Sequence, residues 1–263
     1  MAPGDAQAAQ NLGRLAFQAG DHAWAFSLFQ ESARQRADDP TLLSDLATAS
    51  YSMGRLSEAE QYLQQAIASK SPFPQAESAK QFLAMMTLYR NPAASEAAAT
   101  RVEDILKRQP DDVPALMVSG VIAEQRQKYV EARKAYEAAL ARYPQFVEAR
   151  RVLAILLADR LGDIEKANEY ASKAREVLPN DPGLMKLAGK LAYKRGDFRY
   201  AIQLCKDGLR IQAADTELQY YLGMSQFQLK LPIDAKVALQ QALKLGLREP
   251  EAKEARDTLA KIK

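Results

Sequence analysis

The chain has 263 residues and a net charge of +3, with 48% hydrophobic residues and only 12 glycines. Residue types that favour helices dominate it, and no apolar run reaches the roughly 18 residues of a membrane-spanning helix. A lone cysteine, Cys205, excludes an internal disulfide framework.

A short motif recurs about every 34 residues: Gly-Asp or a near equivalent, followed three to five residues later by Ala. The copies are Gly20-Asp21…Ala25, Gly54-Arg55…Ala59, Gln127-Lys128…Ala132, Gly162-Asp163…Ala167, Gly196-Asp197…Ala201 and Lys230-Leu231…Ala235. A fixed period of this length indicates one supersecondary unit that is stacked many times. We therefore predict a single solenoid over 1–263. Its repeats are 6–39, 40–73, 74–112, 113–146, 147–181, 182–215 and 216–249, with a capping helix at 250–263.

Each repeat is predicted to be a pair of amphipathic helices. In the first repeat, apolar residues at helical spacing end at Gly20 and resume from Ala25. Gly20 is placed to end a helix in the left-handed conformation, and Asp21 to cap the next one. Between repeats, acidic residues precede proline, as in Asp39-Pro40, which is typical of a helix start. Short connections make the paired helices antiparallel.

Two repeats depart from the period. The third has 39 residues, begins with Ser71-Pro72-Phe73-Pro74 and predicts helices over about 75–89 and 93–108. Its extra residues lengthen the first helix or the connecting loop. Either it stacks like the others, or it forms a joint that bends the array or makes a lateral contact. The fifth has one extra residue near 159–162.

The repeat motif resembles that of tetratricopeptide-repeat (TPR) proteins. The family pattern has Leu and a small residue, an aromatic, later Ala, an aromatic, Ala and finally Pro. The fourth repeat matches it at Leu116, Gly120, Ala132, Tyr136, Ala139 and Pro144. The resemblance implies an all-α, right-handed α-α superhelix of seven antiparallel helix pairs. It also implies a protein-protein interaction scaffold that binds a peptide or partner protein in a concave groove lined by the first helices.

Glycines of the first helices are expected where that helix presses closest on its partner. Gly13, Gly120, Gly189 and Gly223 are expected opposite Ala25, Ala132, Ala201 and Ala235, with aromatic residues and leucines filling the wider gaps.

The groove face of repeats five to seven is the candidate partner-binding site. Its residues are Arg151, Lys186, Lys190, Tyr193, Lys194, Tyr220, Tyr221, Met224 and Phe227. Lysines spaced i, i+4, i+8 beside rigid aromatics suit an extended acidic or carboxylate-bearing peptide. Alternatively, the lysines form an ordinary solvated face, and part of the aromatic set belongs to the core. The chaperone-tail clamp known in the family is disfavoured in the N-terminal half, because Asp45 would repel a carboxylate.

No pattern indicates catalysis, a metal site or a cofactor. His22 has no companion for a metal site or a nucleophile pair, so we expect a structural or surface role. Cys205 occupies the aromatic core position of the sixth repeat, so we expect a buried, inert thiol. The glycines are spread along the repeats and form no phosphate-binding loop. The sequence therefore predicts neither an enzyme nor a small-molecule substrate.

Charge is distributed unevenly: residues 1–112 carry 10 basic and 14 acidic residues, and 113–263 carry 26 and 19. The basic half favours an acidic partner, but acids interleaved at helical spacing disfavour nucleic-acid binding. The N-terminal end lacks a capping helix, so it is expected to belong to a longer array, or to meet a partner or a second copy.

The alternative function is the periplasmic spacer or docking portion of a bacterial envelope machine, such as one that secretes exopolysaccharide. The first 20 residues lack the features of a signal peptide. The compartment stays open: cytoplasmic if the chain is complete, and periplasmic if it is a mature chain or an excised fragment.

The alignment of the repeats predicts that Ala132→Leu destabilises the protein. A larger side chain at this position overpacks the helix pair, at a cost of about 1–3 kcal/mol. Thermal unfolding followed by circular dichroism checks this, and an unchanged melting curve would contradict the alignment.

Overall fold

The computed structural model describes residues 5–92 and 95–262, and within these ranges the chain forms helices and no strand. The helices are α1 Ala6–Gln18, α2 His22–Ala33, α3 Pro40–Ser52, α4 Leu56–Ala68, α5 Ala76–Arg90, α6 Glu96–Arg108, α7 Val113–Gln125, α8 Tyr129–Arg142, α9 Val147–Leu156, α10 Ile164–Val177, α11 Pro182–Lys194, α12 Phe198–Ile211, α13 Thr216–Gln228, α14 Pro232–Lys244 and α15 Glu251–Lys261. This confirms the predicted all-α class.

Consecutive helices pack as pairs. The members of α1–α2, α3–α4, α7–α8, α11–α12 and α13–α14 lie directly against each other, and α2–α3 and α12–α13 pack between repeats. Contacts of a helix with its own partner and with the adjacent repeat are those of an α-α solenoid. Seven helix pairs followed by α15 agree with the predicted repeats.

The chain divides into two compact units within α9, one ending at Ala149 and one beginning at Arg150. We call them the N-terminal and the C-terminal unit. The core of each runs between its own paired helices, as in the cluster of Phe26, Phe29 and Leu46 in the first. A single solenoid over 1–263 stays a prediction.

The recurring motif marks the turn between paired helices, as predicted. Gly20 has a φ of +87°, and Gly54, Gly162 and Gly196 are also left-handed. Two non-glycine residues, Gln127 and Lys230, take the same conformation at the equivalent positions with φ of 58°. The turn geometry is therefore kept where glycine is absent, although it disfavours other side chains.

Acidic caps begin most helices, also as predicted. The Asp21 carboxylate accepts a hydrogen bond from the Trp24 N–H, and Asp39, Asp112 and Asp181 cap α3, α7 and α11. Each cap satisfies backbone donors that have no partner inside the helix. These caps fix where each repeat begins.

The first helix does press closely on its partner at the glycines, but the residue it meets differs from the prediction. A Cβ on Gly120 would lie 2.2 Å from the Tyr136 ring, and one on Gly13 would lie 2.6 Å from Phe29. Gly189 likewise faces Cys205. The nearest side chain is thus the large core residue one turn beyond the expected alanine. The expectation that aromatics fill wider gaps elsewhere is wrong, because they fill the space that glycine leaves.

The third repeat distributes its extra residues. Its first helix, α5, has 15 residues, whereas α1, α3 and α7 have 13, and five residues separate α5 from α6. Both predicted outcomes, a longer helix and a longer loop, are therefore found. Ala93 and Ala94, which we assigned to the second helix, lie outside the described residues; α6 begins at Glu96.

The fifth repeat absorbs its extra residue in a π-helical turn, Leu157–Leu161, which continues α9. A π turn accommodates an inserted residue without ending the helix, and such turns occur often at functional sites. Gly162 then closes the helix at a φ of +71°. The insertion predicted near 159–162 is therefore a local widening of the helix, and it sets the position of Asp159.

The last helix packs as a cap on the seventh repeat. Ala252, Ala255 and Thr258 of α15 are buried, and the helix contacts both α13 and α14. The remaining positions are mostly charged and face solvent, as expected for the end of a repeat array.

The close approach at Gly120 predicts that Gly120→Ala destabilises the protein. Overpacking against Tyr136 costs about 1–3 kcal/mol, which outweighs the gain of about 1 kcal/mol in helix propensity. Urea denaturation measures the difference. In a Tyr136→Leu background the same substitution should cost less, because the ring is absent. A stabilising effect in the wild-type background would contradict the proposed packing.

Candidate interaction surface

The nine predicted partner-binding residues lie on the first helices of three consecutive repeats. Arg151 lies on α9, the lysines and Tyr193 on α11, and the other four on α13. All nine belong to the C-terminal unit. The helices on which they lie agree with the prediction, but their burial and their partners do not in every case.

The three lysines of α11, Lys186, Lys190 and Lys194, form what we call the lysine row. Spaced four residues apart, they succeed one another by about 6 Å along the helix. Lys190 Nζ lies 2.8 Å and Lys194 Nζ 3.1 Å from the two carboxylate oxygens of Asp159. One carboxylate from the π-helical turn therefore holds two lysines of the next repeat.

The first lysine of the row is also paired, but with the following repeat. Lys186 Nζ lies 3.2 Å from Asp215 Oδ2 and 3.8 Å from Glu217 Oε1. Asp215 is buried and also caps α13. The lysine row is therefore neutralised within the chain by three carboxylates and offers little net positive charge.

The electrostatics of Asp159 follow from this arrangement. Burial would raise the pKa of its carboxyl group, but hydrogen bonds and charges from Lys190 and Lys194 outweigh burial and hold the pKa below its ordinary value. Asp159 thus stays ionised at neutral pH. Lys194 Nζ also donates to the Ala158 carbonyl at 3.0 Å, which adds a second contact to the same turn.

Most of the aromatic set is core. Tyr220, Tyr221 and Met224 are 2%, 5% and 3% exposed, so the expectation that they form an exposed anchoring face is wrong. The structure agrees instead with the alternative that part of the set is core. The physical reason is that α13 contacts α11, α12, α14 and α15, which leaves it little free surface.

The last helix holds Tyr220 in place. The Tyr220 hydroxyl donates a hydrogen bond to Glu254 Oε2 at 2.7 Å, and burial together with this bond raises the pKa of Tyr220 well above its ordinary value. The sequence carried one signal for this, the unbroken apolar run Tyr220–Met224. A helix that is apolar on several sides is covered on several sides.

Three predicted residues besides the lysines keep accessible surface. Tyr193, Phe227 and Arg151 are each half-buried. The Tyr193 ring lies 5.6 Å from that of Tyr221, so one edge of Tyr193 continues into the core. The surface available to a partner is therefore the lysine row flanked by these three side chains.

The groups that catalysis would require are placed for packing. His22 is buried, its ring stacks on Phe17 at 4.6 Å, and burial lowers its pKa. Within residues 5–92 and 95–262, no three His, Cys, Asp or Glu side chains form a group suited to a metal ion. None of the described helices is long and apolar enough to cross a membrane.

Two family models match the chain, both described as tetratricopeptide repeat. One matches residues 94–145 and 124–184, and the other matches residues 16–81. Together the matches cover more than half of the sequence. The chain belongs to the tetratricopeptide-repeat family. Its fold is accordingly that of a protein-protein interaction scaffold, and protein or peptide partners are expected of it.

A relative of known organism belongs to the same family. The TPR repeat-containing protein PA4667 of Pseudomonas aeruginosa is 26% identical over 213 residues, which are 81% of this chain and 35% of that protein. The chain thus spans about a third of the length of this TPR relative.

Solved TPR structures share the fold at low sequence identity. YrrB, described as a TPR protein with an unusual peptide-binding site, gives a TM-score of 0.51 at 15% identity over 87% of this chain and 97% of its own. PilW, a widely conserved type IV pilus biogenesis factor, gives 0.57 at 18% over 71% and 90%. MamA gives 0.56 at 18% over 62% and 95%. At these identities the likeness shows the TPR fold.

The environment of Cys205 predicts a thiol that hardly reacts in the native TPR fold. Its side chain is fully buried, and burial, with a smaller effect of the Asp215 charge, raises its pKa to about 12. Because the thiolate is the reactive form, labelling with a thiol reagent at pH 8 should be at least about 100-fold slower than in denaturant.

A cysteine at exposed Ser172 of the same unit, in a Cys205→Ala background, is the matched control and should label rapidly. Equal rates for Cys205 and Ser172→Cys in the native protein would show that the Cys205 thiol is accessible.

Proposed function

We propose that this TPR scaffold binds an extended, carboxylate-bearing peptide of a partner protein along the lysine row of α11. The observation that carries the proposal is the pair of contacts from Lys190 and Lys194 to the single carboxylate of Asp159. Two ammonium groups already converge on one carboxylate there, so the chemistry of the peptide contact is present in the chain.

The exchange of Asp159 for a peptide carboxylate has a low energetic barrier in principle. Ion pairs on a partly exposed surface contribute about 0–1 kcal/mol each, so replacing one acid by another changes the free energy little. Asp159 lies in an inserted π-helical turn, a segment that can shift without breaking a regular helix. Asp159 would then act as a competitor built into the chain, and only a peptide with further contacts would displace it.

Those further contacts would come from the half-buried side chains beside the row. Tyr193 and Phe227 offer aromatic edges that bind apolar side chains at low entropic cost, and Arg151 is the predicted contributor from α9. Because Tyr220, Tyr221 and Met224 are buried, they support this surface from beneath and do not touch the peptide. The proposed site is therefore smaller than the one predicted from sequence.

Asp159→Asn is the sharpest test. Neutralising the competing carboxylate frees Lys190 and Lys194, so acidic peptides selected from an array should bind about three- to tenfold more tightly, as expected for about 1 kcal/mol of relieved competition. Lys190→Glu should weaken the same peptides. Fluorescence polarisation at two salt concentrations measures both effects, and the gain should shrink at high salt.

Asp207→Asn is the matched control. Asp207 pairs with Arg210 on α12 of the same unit, 2.7 Å apart, so its neutralisation changes the net charge equally and lies outside the lysine row. If Asp159→Asn and Asp207→Asn raise affinity equally, the effect reflects net charge alone, and the proposed site is refuted.

The second candidate is a docking portion of a bacterial envelope machine. It is supported by the bacterial source of the relative PA4667, of which the chain spans about a third, and by likeness in fold to the pilus biogenesis factor PilW. Cross-linking in the native host followed by mass spectrometry should then recover envelope-secretion components. Recovery of only cytoplasmic proteins would contradict this candidate.

A further inference from the structure

An apolar groove of about 670 Å³ lies in the third repeat. Its walls are α5 and α6, with Ile67 of α4 at one side, and its floor includes the half-buried Leu83, Ala84 and Leu88. A volume of this size is in the range of ligand and peptide sites. In the same N-terminal unit, α1–α2, α3–α4 and α7–α8 pack directly against each other.

The sequence of α6 explains the groove. Aligned on the buried alanine of each second helix, the position four residues later is a large buried residue in α2, α4 and α8: Phe29, Leu63 and Tyr136. In α6 the alanine is Ala99, and the position four residues later is the exposed Glu103. The side chain that fills the space between paired helices elsewhere is therefore missing here.

The groove is elongated along α5. Lys80, Ala84, Leu88 and Asn91 line it at spacings of three and four residues, which is one face of a helix over three turns, about 16 Å long. A strip of this kind matches the ridge of another helix, and recognition of an amphipathic helix uses the same spacing. The shape therefore fits a helix better than a compact small molecule.

The charged residues that line the groove are both basic. Lys80 is paired with Glu77 on its own helix, 2.7 Å apart. Arg101 of α6 is exposed, and among the described residues no carboxylate forms an ion pair with it. Its guanidinium group, with five hydrogen-bond donors, is suited to a carboxylate of a partner.

We propose that this groove binds an acidic amphipathic helix of a partner protein. Apolar side chains of that helix, spaced i, i+3 or i+4 and i+7, would cover Leu83, Ala84 and Leu88, and a flanking carboxylate would pair with Arg101. The site lies within one repeat, between its two helices, and it is separate from the lysine row, which lies in the other unit. It needs no part of the peptide surface proposed above.

A displayed library of 18-residue amphipathic helices tests the proposal with the full chain. The apolar face is fixed as leucine, and the flanking positions are randomised between glutamate and lysine. We expect enrichment of glutamate, and enriched peptides should lose about tenfold in affinity on Arg101→Glu, as measured by titration calorimetry. Thr87→Trp, at an exposed position that lines the groove, should abolish binding by filling it.

Lys107→Glu is the matched control, because Lys107 lies on the same helix, is exposed and does not line the groove. It should leave affinity unchanged, as should Lys190→Glu in the other unit, and circular dichroism should show every variant folded. The proposal is overturned if no helix is enriched, if lysine is preferred, or if Thr87→Trp binds normally. Self-association in light scattering that Thr87→Trp removes would identify a second copy as the occupant and would also overturn it.

Discussion

The contact between a small residue of one helix and a large residue of its partner holds each repeat of this protein together. Tyr136 lies against Gly120, and Phe29 lies against Gly13, at distances that admit no Cβ. Since a solenoid repeat contacts only its neighbours, no distant core compensates when this contact is lost. The period of 34 residues is therefore the period of this contact, and the left-handed turns and acidic caps serve to return the chain to it.

Both candidate binding surfaces arise where that regular pattern is interrupted. In the third repeat, Glu103 stands where the pattern requires a large apolar residue, and a groove lies between α5 and α6. In the fifth, one added residue widens the helix end and presents Asp159 to the next repeat. Regular repeats satisfy their own surfaces, whereas an interrupted repeat leaves groups whose contacts another molecule can provide.

The fold could be predicted from sequence because its signals are local. Glycine at a left-handed turn, aspartate at a cap and alanine at helical spacing each depend on a few neighbouring residues, so Gly20 and Asp21 are placed correctly. The candidate site depended on contacts between repeats, which no local pattern records. Tyr220 and Tyr221 look like surface anchors on α13 until α15 covers them, and Glu254, which binds Tyr220, lies 34 residues further along the chain. The partner of the lysine row was equally hidden, because Asp159 belongs to the preceding repeat.

Neutralisation of the lysine row also explains why a basic half of the chain need not bind anions indiscriminately. Each lysine of the row has a carboxylate of its own chain within 4 Å, so an isolated anion gains almost nothing by replacing it. A ligand gains only when aromatic contacts with Tyr193 and Phe227 add to the exchanged ion pair, which makes recognition depend on the whole peptide. In the third repeat the order is reversed: the apolar strip on α5 supplies the affinity, and the exposed Arg101 selects the charge of the partner. The same helical scaffold thus supports two modes of recognition, according to whether an inserted residue adds a competing group or a substituted residue removes a packing group.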